Sequence, residues 1–162
     1  MTDVSDFIHD QNRYERELAE SMGWDFVEDQ SKGSAYDFIT PDGTKIEVKF
    51  DWDSIKTGNH YLEFAQSSDG GKNWIPSGFT LSADDAELWV VINNDWMRVF
   101  TINSLKQLIT KNRSRLKITT TRAGVNFNRP NQFSKAYLIP YKILDEYATE
   151  KKPSPIKRSF TQ

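Results

Sequence analysis

The 162-residue chain is 37% hydrophobic with five Trp, six Tyr and ten Phe. That is apolar surface enough for one folded domain and too much for a disordered polymer. It has no cysteine, which excludes a disulfide framework and a thiolate metal site and leaves oxygen or imidazole to hold any metal. The formal charge of −2 conceals an asymmetry: residues 1–102 hold 8 basic and 20 acidic side chains, net −12, and residues 103–162 hold 13 and 3, net +10. A basic half suits a phosphate backbone and an acidic half suits cations, although two solvated faces would read the same way.

Met1 to Asp10 carries three Asp and no Lys or Arg, unlike a secretory signal, and no apolar run approaches membrane-spanning length, so a soluble, cytoplasmic protein without a membrane partner is expected. Phe7, Gln11, Tyr14, Leu18 and Met22 recur at three- and four-residue steps and predict a helix over Asp6 to Met22, ended by Gly23. Trp24 to Glu28 alternates like a half-buried strand. Tyr36–Thr40 and Lys45–Asp51 are strand-like runs joined by Pro41-Asp42-Gly43, and residues 51–59 read as a loop. Tyr61–Gln66 is a further strand, followed by a polar turn over residues 67–73. Ser82 is placed to cap a short turn through Glu87, Leu88–Ile92 is a buried strand, and Asn93-Asn94-Asp95 turns into a strand over Trp96–Ile102. Asn103 or Ser104 is expected to cap a helix reaching about Lys111. Lys117–Thr121 and Tyr137–Ile139 are candidate strands, Ala123–Phe133 reads as irregular, and a short helix follows Pro140. The domain is expected over residues 1–150, with a basic, mobile tail over 151–162.

The hairpin carries the chemistry. Pro41-Asp42-Gly43 suits a three-residue loop with Gly in the left-handed conformation, which pairs Thr40 with Thr44, Ile39 with Lys45, Phe38 with Ile46 and Asp37 with Glu47. Two carboxylates then face each other with Cβ atoms about 5 Å apart, a spacing at which they repel unless a cation or proton lies between them. Lys49, two residues beyond Glu47, projects from the same face. Tyr36, Phe38, Ile46, Val48 and Phe50 form the apolar face, leaving the acids on the wetter side, as in any exposed hairpin.

Asp37, eight intervening residues and Ile46-Glu47-Val48-Lys49, behind a helix carrying glutamates, resemble the PD-(D/E)XK nuclease motif. Tyr36 stands where that motif has proline. Lys56-Thr57-Gly58-Asn59 leading to Glu63 is similar to the stretch after the motif in phage and bacterial Holliday-junction-resolvase-like members. The resemblance implies an α/β fold with a restriction-endonuclease-like core, a mixed central β-sheet flanked by α-helices. It implies Mg²⁺ or Mn²⁺ held by Asp37, Glu47 and the carbonyl of Val48, with Lys49 orienting a water that attacks the phosphorus in line. A helix glutamate commonly completes such sites. At about 100° per residue Glu15 lies nearest the apolar stripe, whereas Glu17 and Glu20 point farther away. Glu63, between Leu62 and Phe64, faces away from both and is a further candidate ligand; surface roles for Glu15 and Glu63 remain open.

Lys111, Arg113, Arg115, Lys117, Arg122 and Arg129, with no intervening acid, form a candidate nucleic-acid surface together with Lys56 and Asn59. His60 reads as an ordinary surface imidazole, and Ser77-Gly78 as a loop turn. The reading is a Mg²⁺-dependent DNA endonuclease for branched or distorted DNA, a homodimer in a bacterial or phage-infected cytoplasm. A sequence-specific restriction-type enzyme and a catalytically silent DNA-binding domain are the alternatives.

Overall fold

Helix α1 (Val4–Met22) stops where the sequence runs out of helix formers: Gly23 takes φ 70°, and the Trp24 N–H closes back onto the Ala19 carbonyl at 3.0 Å. That left-handed glycine and backward bond form a helix-ending motif that satisfies an otherwise orphaned carbonyl. The computed structural model describes residues 4–27, 36–52, 57–122 and 131–158. After α1 come β1 (Asp25–Phe26), β2 (Phe38–Ile39), β3 (Lys45–Phe50), β4 (Asn59–Ser67), β5 (Ile75–Pro76), α2 (Phe79–Ser82), β6 (Leu88–Ile92) and β7 (Trp96–Thr101). They continue with α3 (Ile102–Asn112), β8 (Lys117–Arg122), β9 (Phe133–Pro140), α4 (Tyr141–Tyr147) and β10 (Glu150–Pro153). No described helix is long and apolar enough to cross a membrane.

The strands form two sheets. The larger runs β1-β2-β3-β6-β7-β10 and is mixed, with β3 and β6 parallel and its other neighbours antiparallel. The smaller, β5-β4-β9-β8, is antiparallel throughout. The α/β class expected from sequence holds, and the second sheet is an addition to it.

Side-chain alternation divides the large sheet's residues between two cores. On one face Phe38, Ile46, Val48, Val90, Ile92, Met97 and Val99 bury against Tyr14 and Leu18 of α1. On the other, Trp89, Val91 and Phe100 bury against Leu62 of β4, Ile139 of β9, and apolar residues of α2, α3 and α4. Hence β3, carrying Glu47 and Lys49 between Ile46, Val48 and Phe50, is covered on both faces.

Several boundaries differ from expectation. The cap of α3 is Thr101, whose hydroxyl accepts the Ser104 N–H at 3.0 Å, rather than Asn103 or Ser104. Ser82 ends α2 and also opens the expected short turn, its carbonyl accepting N–H groups from Asp85 and Ala86. Lys151 to Pro153, expected at the start of a mobile tail, pair with β7, and beyond them Ile156 is buried in the α1-side core. Buried Arg98 reinforces this corner: its Nε donates to Asp145 at 2.7 Å, and Lys151 reaches the same carboxylate at 3.1 Å. Burial works against ionisation of Asp145, but the two cations outweigh it and hold its pKa below the usual range.

Candidate active site

The 41–43 turn forms as its sequence demands: Thr40 N–H bonds the Thr44 carbonyl at 2.9 Å, Gly43 sits at φ 88°, and Phe38 pairs with Ile46 and Ile39 with Lys45. The regular ladder ends there. Asp37 does not take the expected place opposite Glu47; its N–H goes to the carbonyl of Ile46 at 2.8 Å, so that Asp37 and Phe38 share one partner residue. A two-against-one arrangement of this kind re-aims a side chain. Here it lets the Asp37 carboxylate accept the N–H of Val48 at 3.0 Å. It also moves Tyr36 off the expected apolar face and against the opposite core.

Despite the offset, the two acids meet. Glu47 is hydrogen-bonded to Asp37, and both are buried, at 7% and 9% exposure. The expected wet side is therefore dry, because the smaller sheet covers it. Lys49 Nζ lies 2.9 Å from Glu47 Oε1 and 5.3 Å from the centre of the Trp89 ring. Burial, followed by the Asp37 charge and hydrogen bond, outweighs Lys49 and raises the Glu47 pKa to about 7. Burial pulls the Lys49 ammonium down, but Glu47, Asp37 and Glu63 prevail and raise it.

This burial is the feature an ordinary exposed hairpin lacks. Removing a carboxylate from water costs several kcal/mol, more than the roughly 1.5–3 kcal/mol that burying a leucine or valine contributes. Two acids and one lysine leave an excess of negative charge that a proton or a cation must offset. Among the described residues no group of three or more His, Asp or Glu converges, so neither Glu15 nor Glu63 completes a three-acid cage with the pair. A pair is sufficient for Mg²⁺, which keeps several waters and is commonly held by one or two carboxylates. Val48 adds a backbone oxygen: a strand residue directs its N–H and C=O to the same side, and the Val48 N–H points to Asp37.

Glu63 enters from the smaller sheet. With Lys49, Tyr61, Gly78 and Trp89 it lines a pocket of about 220 Å³. Ser77, expected only to turn a loop, donates its hydroxyl to Glu63 Oε2 at 2.8 Å. Gly78 holds φ 54° directly against Glu63, where an added Cβ would stand 2.4 Å from the Glu63 carbonyl oxygen. Gly78→Ala is therefore expected to destabilise the fold by about 2 kcal/mol or more, through overpacking and a left-handed backbone. A denaturation midpoint equal to that of the parent protein would contradict this close packing.

The remaining candidates are dispersed. Glu15 is half-buried beside Tyr14 on α1, the helix covering the other face of the large sheet. Lys111, Arg113, Arg115 and Lys117 are all exposed, at the end of α3 and the start of β8. Asn59 begins β4 rather than ending a loop, and its amide donates to the Thr57 carbonyl at 3.1 Å. Lys56, Arg129 and the Arg122 side chain lie outside the described residues. His60 is not a surface imidazole: it is 1% exposed, with Nδ1 2.6 Å from Asp51 Oδ2. The alternation Glu47, Lys49, Asp51 was the available signal for Asp51; nothing local marked its partner.

Comparison of the chain with protein-family models, curated proteins and solved structures finds no significant match. The functional reading rests on the geometry of these side chains.

Proposed function

We propose that the chain is a metal-dependent DNA endonuclease with a restriction-endonuclease-like core of the PD-(D/E)XK type, acting on branched or distorted DNA as a homodimer. The observation that carries this reading is the buried Asp37–Glu47 pair with the Lys49 ammonium 2.9 Å from Glu47. Asp37, Glu47 and the Val48 carbonyl would hold Mg²⁺ or Mn²⁺. When bound, the cation supplies Lewis acidity to the scissile phosphate and to the attacking water. Lys49 orients that water and offsets the charge that grows on the phosphate. Tyr61 and Glu63 shape the opposite wall of the pocket.

The exposed bases from Lys111 to Lys117 carry DNA affinity, because their attraction to phosphates offsets repulsion by the acids. They contact the backbone and so read no sequence, which favours recognition of shape over recognition of bases.

The test is a cleavage panel of four-way junction, flap, mismatched duplex and plain plasmid, each with Mg²⁺, Mn²⁺ or chelator. The expected result is metal-dependent cutting that favours the branched substrates. Fixed-position cutting of plain plasmid would replace this reading with a restriction-type enzyme. Salt-sensitive binding with no cleavage of any substrate would replace it with a silent DNA-binding domain.

A further inference from the structure

We infer that His60 is a positioning residue that holds β4, and with it Glu63, against the Lys49 side of the candidate site by anchoring Asp51. The kinetic part of this inference rests on the nuclease reading, and the structural part does not.

Glu47, Lys49 and Asp51 occupy alternate positions and project from one face of β3. The Asp51 N–H bonds the Ile92 carbonyl at 2.7 Å, which carries the β3–β6 ladder one residue past the strand and fixes the Asp51 backbone. Opposite it stands His60, the second residue of β4, with its Nδ1–H donating to the Asp51 carboxylate at 2.6 Å. Two residues back along β3, Lys49 borders the pocket that Glu63 enters three residues farther along β4. The two strands thus cross the site in opposite senses, position 51 facing 60 and position 49 sharing a pocket with 63.

No ladder joins these strands, because β3 belongs to the large sheet and β4 to the small one. Their separation is set by side chains. Moreover, β4 slips register against β9 between Glu63 and Ala65. A bulge at that point makes the aim of Glu63 sensitive to how the strand is anchored on either side. Gly78 and Ser77 anchor one side of the carboxylate. His60 anchors the strand before it.

A histidine that merely filled this space would be a poor choice. Its Nε2 is buried with no hydrogen-bond partner among the described residues, a cost that leucine avoids. The bond from Nδ1 to Asp51 is what leucine cannot supply.

The test compares His60→Leu, which keeps the bulk, with His60→Asn, whose amide nitrogen stands where Nδ1 stood and keeps the donation. Hydrogen exchange of the free protein is read first. In His60→Leu the amides of 49–51 and 61–64 exchange faster while those of β6 and β7 do not; in His60→Asn they match the parent. Cleavage is read second: kcat falls about 10²-fold in His60→Leu with KM for DNA unchanged, the cost of a small misplacement, and His60→Asn restores it. Unchanged exchange, exchange accelerated equally throughout the chain, or a His60→Asn protein as impaired as His60→Leu would each overturn the inference. If the parent cuts no DNA, the nuclease reading fails and exchange alone decides the positioning role. Should His60→Leu not fold, Asp51→Ala read against Asp51→Asn asks the same question from the other partner.

Discussion

Lys49→Ala is expected to lower metal-dependent DNA cleavage about 10²–10³-fold, the usual consequence of deleting one group that stabilises developing charge. DNA binding, read by anisotropy in chelator, should remain close to that of the parent, because the exposed bases at 111–117 are untouched. The geometry explains why the two readouts separate. Lys49 Nζ contacts Glu47 at 2.9 Å and shares a pocket with Glu63, so it lies at the acids and not on the basic surface. Its own side chain is 41% exposed but that of Glu47 only 9%, so the substitution also leaves a buried acid without its cation, and the melting temperature is read alongside. Lost activity therefore cannot be assigned to unfolding if the melting temperature is preserved. Lys49→Arg sharpens the test: it keeps the charge but replaces a compact ammonium with a planar fork, so it should bind DNA normally and cut poorly. A Lys49→Ala protein that cleaves at the parental rate would remove Lys49 from the mechanism.

The parts of the fold legible in the sequence are those written in local periodicity. Tyr14 and Leu18 at helical spacing, the Pro41-Asp42-Gly43 turn, and the apolar run from Leu88 to Ile92 each announce their element, and each forms where expected. Alternation placed Glu47 and Lys49 on one face, and the turn length brought Asp37 near them. Illegible were the features set by distant partners. The acids are dry because elements outside their hairpin cover them, with Tyr61 and Glu63 of β4 lining the adjoining pocket, and no local pattern records what will lie overhead. The offset at Asp37 is a single backbone irregularity without periodicity.

The charge pattern misled at the C-terminus for a physical reason. Strand β10 is an edge strand carrying Lys151 and Lys152. Edge strands commonly bear lysines that discourage further pairing, so the signature of a protected edge coincides with that of a solvated tail. At the start of α3, Thr101, Asn103 and Ser104 are all competent caps, and only the backbone entry angle, φ −71° and ψ 154° at Thr101, selects among them.

The acid pair also dictates how stability depends on pH. Glu47 titrates at about 7 in the fold against 4.5 for the unperturbed side chain, chiefly because it is buried and then because Asp37 adjoins it. A folded-state value above the unfolded one means that the fold binds the proton more tightly. That advantage is complete below pH 4.5 and is lost as pH rises through 7. The displacement corresponds to up to about 3 kcal/mol, or roughly 6–12 °C in melting temperature for a domain of this size. In chelator, the protein should melt lower at alkaline pH than at mildly acidic pH. Mg²⁺ reverses the slope, since it requires the ionised acid and so stabilises little below neutrality and most above it. Glu47→Gln, which cannot ionise, should flatten the curve in chelator and abolish the gain from Mg²⁺. Calorimetry of both proteins across this range isolates the contribution of Glu47 from those of other carboxylates, such as Asp145, whose pKa is lowered. Parallel curves for parent and Glu47→Gln, with or without Mg²⁺, would mean that the buried pair neither holds the proton nor exchanges it for a cation.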